Sequence, residues 1–181
     1  MNIFYLDHDV KRCAEMHNDK HVVKMILEYA QLLSTAHRVL DGTLSSRLSK
    51  TGRKQSWYGL PDQRESLLYN ATHINHPSAK WCRDSNDNYQ WLYRLFCALC
   101  DEYTFRYEKI HLTDKKLRHV LNVSPKNISN DLFEGPWRAM PDDVKIGDDS
   151  LASYRNYYIK NKMHLASWKK RQVPEWFNAN I

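Results

Sequence analysis

The chain has 181 residues, of which 42% are hydrophobic and only 5 are Gly and 6 are Pro. This composition excludes a disordered or repetitive chain and is sufficient for one domain with a sizeable core. The net charge is +6, and the positive charge is unevenly placed along the sequence.

Neither a membrane protein nor a secreted protein is expected. No run approaches about 18 uninterrupted apolar residues, so no segment is predicted to span a membrane. The first residues, MNIFYLDHDVKRC, lack the basic start and the apolar stretch of a signal peptide. Cysteines without paired spacing indicate reduced thiols and a cytoplasmic location. The four are Cys13, Cys82, Cys97 and Cys100.

Two helices are predicted after a short extended segment, NIFYL. Asp9 is a suitable cap for a short helix that ends near Met16. Asn18 or Asp19 is a suitable cap for a second helix over residues 20–40. Apolar residues at helical spacing predict the buried face of this second helix. They are Val23, Ile26, Leu27, Ala30, Leu33 and Leu40.

The remaining elements are also predicted to be helical. Residues 42–63, rich in Ser, Gly, Lys and Arg, are expected to form a mobile basic loop, and residues 63–71 a short helix. Pro77 suits the start of a long helix interrupted near residues 84–87. Thr113 or Asp114 caps another short helix, and a last helix covers about 150–170, after an irregular crossing over 122–147. The prediction is an all-α, single-domain compact helical bundle over residues 1–181, with a short N-terminal extended segment and long basic loops.

The motif HNDKH, residues 17–21, opens the second helix. His17 and His21 are four residues apart, the spacing of zinc-binding histidine pairs. The glutamate of the zinc-protease motif is absent, and a third ligand would have to come from His73, His76 or an acid. The alternative is a pair of hydrogen-bonded histidines near a cleft. We expect neither a metal nor another cofactor.

Lysines beside the apolar run suggest amine chemistry. Lys20 and Lys24 adjoin that run, and apolar surroundings favour the neutral form of an amine. A neutral amine can attack the sugar carbon C1′ of a nucleotide and form a Schiff base. Glu28, one turn after Lys24, is either its charge partner or a group that stabilises a sugar cation or moves a proton. His21, Lys24 and Glu28 are predicted to share one helix face.

Positive charge alternates with aromatic residues, which is typical of nucleic-acid contact because cations neutralise phosphates and rings stack on bases. Residues 151–181 contain six basic residues and one acid, and residues 44–54 contain four basic residues and no acid. The cluster HINHPSAKWCRDSNDNY either contacts DNA or caps helices. The candidate nucleic-acid-binding residues are Arg53, Lys54, Trp57, His76, Arg83, Asn88, Arg155, Lys160, Lys162, Lys169, Lys170 and Arg171.

Three stretches, taken in order, carry a resemblance of layout. They are CAEMHNDKHVVKMILEYAQ, HPSAKWCRDSNDNYQWLYRLFCALCDEYTFRYEK and WKKRQVPEWF. This layout resembles that of the bacteriophage pyrimidine-dimer DNA glycosylases of the endonuclease V type. The resemblance implies an all-α single domain that flips a nucleotide out of duplex DNA, an amine that attacks C1′ and a glutamate that assists. For a viral protein it also implies the host cytoplasm.

Two features of the sequence differ from that family's pattern. The family uses the N-terminal amine that is exposed when Met is removed, whereas here Asn2 follows Met1, which hinders the removal. A glutamate is not found at the place expected from the family, and only Asp19 and Glu28 lie near it.

A DNA-acting enzyme is therefore the leading hypothesis. It would be a DNA glycosylase, with or without AP-lyase activity, or a related base-modifying enzyme that works on a flipped nucleotide of damaged or modified duplex DNA. The nucleophile would be Lys24, Lys20 or the N-terminal amine. Glu28 or Asp19 would be its acid–base partner, with His17, His21 and His76 orienting or protonating the leaving base. The alternatives are a metal-dependent hydrolase of a small helical bundle and a non-catalytic nucleic-acid-binding module.

Overall fold

The computed structural model describes residues 1–49 and 51–179. Within these ranges eight α-helices are joined by one two-stranded antiparallel sheet, and the chain is 54% helical. The helices are α1 Val10–Met16, α2 Asp19–Asp41, α3 Arg64–Leu67, α4 Pro77–Asp84, α5 Asn86–Tyr107, α6 Leu112–Leu121, α7 Ser150–Lys162 and α8 Glu175–Asn178. The strands are β1 Thr43–Leu48 and β2 Lys54–Gly59, and short 3-10 turns cover Asp142–Val144 and Met163–Leu165.

The all-α prediction is wrong, because the basic segment after α2 forms a β-hairpin and makes the fold mixed. Thr43 pairs with Gly59, and the register continues to Leu48 opposite Lys54. The Ser and Lys content of this segment is typical of a loop, but Thr, Trp and Tyr favour strands. Gly52, with φ +77°, supplies the left-handed residue of the connecting turn.

Local capping signals set the ends of the early helices as predicted. The Asp9 carboxylate accepts from the Arg12 amide at the start of α1, and the Asn18 side chain accepts from the His21 amide at the start of α2. Pro77 occupies the first turn of α4. The predicted interruption is confirmed, since Ser85 ends α4 and caps α5.

Other boundaries differ from the prediction. The last long helix ends at Lys162 and not near 170, and α3 is only four residues long. The cap of α6 is His111 and not Thr113 or Asp114. In α2 the apolar Val23 and Leu27 are 41% and 40% exposed, although both were predicted to be buried.

Helices α2 and α5 pack against each other at the centre, with α1, α4 and α6 around them. The N-terminal residues Ile3–Leu6 form neither a helix nor a strand and are buried in the core. Among residues 1–49 and 51–179, no helix is long and apolar enough to cross a membrane. The fold thus places the start of the chain directly against the polar entrance of α2.

Candidate active site

The N-terminal segment is held in place by side chains of α1 and α2. The Phe4 amide donates to the Tyr29 hydroxyl at 3.1 Å. The Cys13 thiol donates to the Phe4 carbonyl at 3.3 Å, and the Leu6 amide donates to the Cys13 sulfur at 3.4 Å. An extended segment without a strand partner satisfies its backbone groups in this way. These contacts hold the chain at Phe4 and Leu6, a few residues after Met1.

His17 is part of the same network. Its Nδ1 donates to the Cys13 carbonyl at 2.7 Å, and its Nε2 lies 3.0 Å from the Tyr29 hydroxyl, which is the donor because Nδ1 carries the hydrogen. Burial lowers the pKa of His17 to about 4, so the ring is neutral at neutral pH. Both ring nitrogens are thus occupied by protein partners.

His21 supports the N-terminal segment from the other side. Its ring stacks on Phe4 with centroids 4.2 Å apart, and its Nδ1 lies 2.5 Å from the Tyr158 hydroxyl. Burial, with smaller contributions from His17, Lys162 and Lys24, lowers the pKa of His21 to about 3. The side chain is only 5% exposed, so it does not share the solvent-facing surface of Lys24. In the described parts of the chain, no group of three or more potential ligands could hold a metal ion.

Two amines meet at the carboxylate of Glu28. The α-amine of Met1 lies 3.8 Å from Oε2, and Lys24 Nζ lies 3.2 Å from Oε1. The Glu28 side chain is 14% exposed, whereas that of Lys24 is 67% exposed. The cluster therefore combines a sheltered carboxylate with one amine fixed by the N-terminal segment and one on a flexible stem.

His76 completes the polar surroundings of this cluster. It caps α4, with Nδ1 accepting from the Ser78 amide at 3.1 Å. Burial lowers the pKa of His76, and the positive charges of the N-terminal amine and His73 lower it further, whereas Glu28 opposes them. The loop that carries both histidines is tied to α2, because the Thr72 amide donates to the Thr35 hydroxyl at 3.2 Å.

Asp19 does not reach the amines. Its carboxylate lies 2.9 Å from Arg106 and accepts from the Ser167 hydroxyl at 2.6 Å and from the Lys169 amide at 2.9 Å. Burial alone would raise the pKa of Asp19, but the bonds from Ser167, Lys169 and Arg106 lower it. Asp19 thus attaches the C-terminal segment to α2.

A groove of about 590 Å³ adjoins the amine cluster. Lys24 belongs to both, and Lys20 lies on the exposed rim. The exposed Val23 and the ring of Tyr107 form part of the apolar lining, and Lys169 Nζ lies 5.3 Å from the centroid of that ring. The groove offers a flat ring surface beside positive charge.

Some of the candidate nucleic-acid-binding residues are exposed, namely Arg53 and Lys54 on the hairpin and Lys160 and Lys169 in the C-terminal part of the chain. Lys162 is half-buried, and its Nζ lies 4.9 Å from the centre of the Tyr157 ring, which stacks on Phe4.

Other candidates are engaged by the protein itself. Lys170 pairs with Glu108 at 2.6 Å, and Arg171 pairs with Glu102 at 2.8 Å. Arg155 donates to the Leu6 carbonyl at 2.8 Å. The buried Asn88 donates to the Trp81 carbonyl and accepts from the Glu134 amide, and Arg83 donates to the Ala79 carbonyl. The ring of Trp57 contacts the guanidinium groups of Arg38 and Arg47.

Several residues of the site have no signal in the sequence. Tyr29 and Tyr158 bond to His17 and His21 across 12 and 137 positions, and Tyr107 lines the groove from α5. Their tyrosine type alone indicates only a ring with a polar end. Helical spacing did place Lys24 and Glu28 as neighbours, but their proximity to Met1 is visible only in three dimensions.

Comparison with known proteins gave one family. The family model described as pyrimidine dimer DNA glycosylase matches residues 1–115. The match includes Met1, Lys24, Glu28 and His76, and with them the whole amine cluster. No curated protein and no solved structure matches the chain. Because the match covers well over half of the 181 residues, the chain belongs to the pyrimidine dimer DNA glycosylase family.

Proposed function

We propose that this chain, as a single domain over residues 1–181, excises pyrimidine dimers from duplex DNA by amine attack on C1′. The observation that carries the proposal is the meeting of the Met1 α-amine and Lys24 Nζ at Glu28, 3.8 Å and 3.2 Å from its two oxygens. An amine next to a carboxylate has an acceptor for the proton that it must lose to become a nucleophile.

The Met1 amine is the better nucleophile of the two. The α-amine belongs to a segment that the bonds of Phe4 hold in place, whereas the Lys24 side chain is 67% exposed. Placement of a reactant before reaction removes entropy from the barrier.

The step balances with groups present in the cluster. The amine bonds to C1′ while the bond from C1′ to the base breaks, and the electron pair leaves with the base, which takes up a proton. Glu28 accepts the proton released by the amine and returns it to the ring oxygen when the bond from C1′ to that oxygen opens, which yields a Schiff base. Loss of a proton from C2′ would then expel the 3′ phosphate, which is the lyase reaction. His76, whose Nδ1 accepts from Ser78, retains Nε2–H as a donor for the leaving base.

The neighbouring groove is the proposed place for an extruded nucleotide. Enzymes that act on a base in a duplex must bring it out of the stack, which costs a few kcal/mol in unstacking. Tyr107 can stack on a base, and Lys20 and Lys24 on the rim can neutralise the adjoining phosphate. Lys24 then acts at the substrate through charge and not as the attacking amine.

Borohydride trapping on DNA with an abasic site tests the proposal. We expect a covalent adduct in the parent, mapped by peptide mass to the first residue of the chain. Glu28→Gln should lower both trapping and dimer excision by about 100-fold or more while the protein stays folded. Glu108→Gln is the matched control, because it also removes a glutamate that pairs with a lysine.

Each outcome decides between the alternatives. An adduct on Lys24 would reassign the nucleophile. Full activity of Glu28→Gln, or a parent that binds DNA without excision and without an adduct, would overturn the proposed chemistry.

A further inference from the structure

The β-hairpin of β1 and β2 contributes almost nothing to the hydrophobic core. Every side chain of β1 is exposed, including Leu44 at 60% and Leu48 at 70%. An isolated two-stranded hairpin is marginally stable in water. Its retention as an ordered element therefore requires either strong anchoring or a partner outside the chain.

The base of the hairpin is firmly anchored to α2. Arg38, only 1% exposed, donates to the Tyr58 carbonyl at 2.9 Å and pairs with Glu65 at 2.7 Å. Two guanidinium groups lie over the ring of Trp57, with centroid distances of 5.0 Å to Arg38 and 3.2 Å to Arg47. Trp57 is thus a fixed part of the hairpin and not a free stacking tip.

The hairpin carries positive charge without compensation. Arg47, Arg53 and Lys54 are exposed, and residues 43–59 contain no Asp or Glu. The nearest acids along the chain already have partners, since Asp41 and Asp62 bind Arg64 at 2.6 Å and 2.8 Å and Glu65 binds Arg38. This charge distribution is complementary to a row of phosphates.

Helix α2 links the hairpin to the amine cluster. Glu28 of this helix pairs with both amines, and Arg38, ten residues further on, donates to the Tyr58 carbonyl of β2 at 2.9 Å. Ten helical residues span about 15 Å, which is the length of roughly four to five base pairs of duplex.

We propose that the hairpin is a DNA-binding arm that contacts phosphates four to five base pairs from the lesion on the same duplex. The inference rests on the proposed function, which supplies the lesion end of that duplex. Two-stranded ribbons fit the major groove. An enzyme that meets lesions in any sequence requires contacts of this kind, because phosphates are the same in every sequence.

The double variant Arg53→Gln/Lys54→Gln tests the arm without touching the stack on Trp57. We expect its affinity for a long lesion-containing duplex to fall roughly tenfold, and the slope of log affinity against log salt to flatten by up to about two. Lys11→Gln/Lys115→Gln is the matched control, since it removes the same charge from exposed helical positions.

A truncated substrate shows where the arm binds. On a duplex shortened to one or two base pairs on one side of the lesion, the parent and the double variant should bind equally, whereas shortening the other side should preserve their difference. Equal affinities and slopes on long duplexes, or a loss equal to that of the control, would overturn the inference. If the parent still forms the borohydride adduct in that case, the proposed function stands without the arm.

Discussion

At the scale of single residues, the buried histidines are structural supports for the N-terminal segment. His17 bonds to Tyr29, which accepts from the Phe4 amide, and His21 stacks on Phe4. The motif HNDKH therefore has two roles: Asn18 caps the helix and the histidines hold the segment that ends in the amine. Placement of a reactive group by packed, hydrogen-bonded neighbours is a general requirement of active sites.

These histidines predict a loss of stability in mild acid. A third buried histidine, His37 of α2, lies with its Nε2 2.8 Å from the Tyr89 hydroxyl. Burial lowers the pKa of His17 and His37 to about 4 and that of His21 to about 3, below the ordinary value near 6.5. Between pH 6.5 and 4 the unfolded chain binds protons that the folded chain does not, so stability falls as pH falls through this window. The expected loss from pH 7 to pH 5 is on the order of 1–2 kcal/mol per histidine.

Urea unfolding at pH 7, 6 and 5 measures this effect. His37→Gln should show a shallower pH dependence than the parent, and His119→Gln, at an exposed position, should match the parent. A free energy of unfolding that is constant from pH 7 to pH 5 would show that the buried rings do not titrate as described.

At the scale of elements, side chains of the C-terminal segment after α7 hold this segment against the helices. Arg171 binds both oxygens of Glu102, and the same carboxylate binds Arg106 at 2.6 Å. Trp168 donates to the Met16 carbonyl at 2.9 Å. Part of the positive charge of this segment is thus paired with acids of the same protein. The alternation of basic and aromatic residues in the sequence did not predict this pairing.

Arg171→Gln should therefore destabilise the fold more than it weakens DNA binding. Loss of a bidentate bond to a carboxylate that is 3% exposed is expected to cost about 1–3 kcal/mol. Lys170→Gln, which breaks the pair with the 81% exposed Glu108, should cost less than about 1 kcal/mol. Chemical denaturation compares the two neighbours directly. Equal stabilities of the two variants would show that Arg171 does not hold the C-terminal segment in place.

At the scale of the whole molecule, the amine cluster is assembled from distant parts of the chain. The N-terminal segment supplies Met1, α2 supplies Lys24 and Glu28, and the loop before α4 supplies His76. A displacement of about 1 Å in such a site can cost 100-fold in rate. The relative placement of these three elements is thus expected to control activity more than any property of one element.

Adding two residues, Gly-Ser, ahead of Met1 should show whether the position of the terminal amine beside Glu28, and not only its presence, is required. The new amine would lie beyond Glu28, so borohydride trapping should fall by about 100-fold or more, while the melting temperature and DNA affinity stay near the parent values. The same residues added at the other end of the chain are the control, and Lys24→Ala should retain trapping. Undiminished trapping in the extended chain would mean that the terminal amine is not the nucleophile.

Structural features that depend on residues within one helical turn could be predicted from the sequence. The caps Asp9 and Asn18, the start of α4 at Pro77 and the interruption at Ser85 followed from short-range bonds between a side chain and a nearby amide. The layout of polar turn and core helices was also sufficient to suggest the family that the family model supports.

Only the tertiary structure decided which polar residues meet. Asp19 and Glu28 were equal candidates, but packing turns Asp19 toward Arg106 and Glu28 toward Met1. The hairpin was missed because all of β1 and the first half of β2 are exposed, so these residues lack the alternation of buried and polar positions that marks a strand. Spacing along a helix defines a face, and the choice of what that face contacts depends on residues far away in the chain.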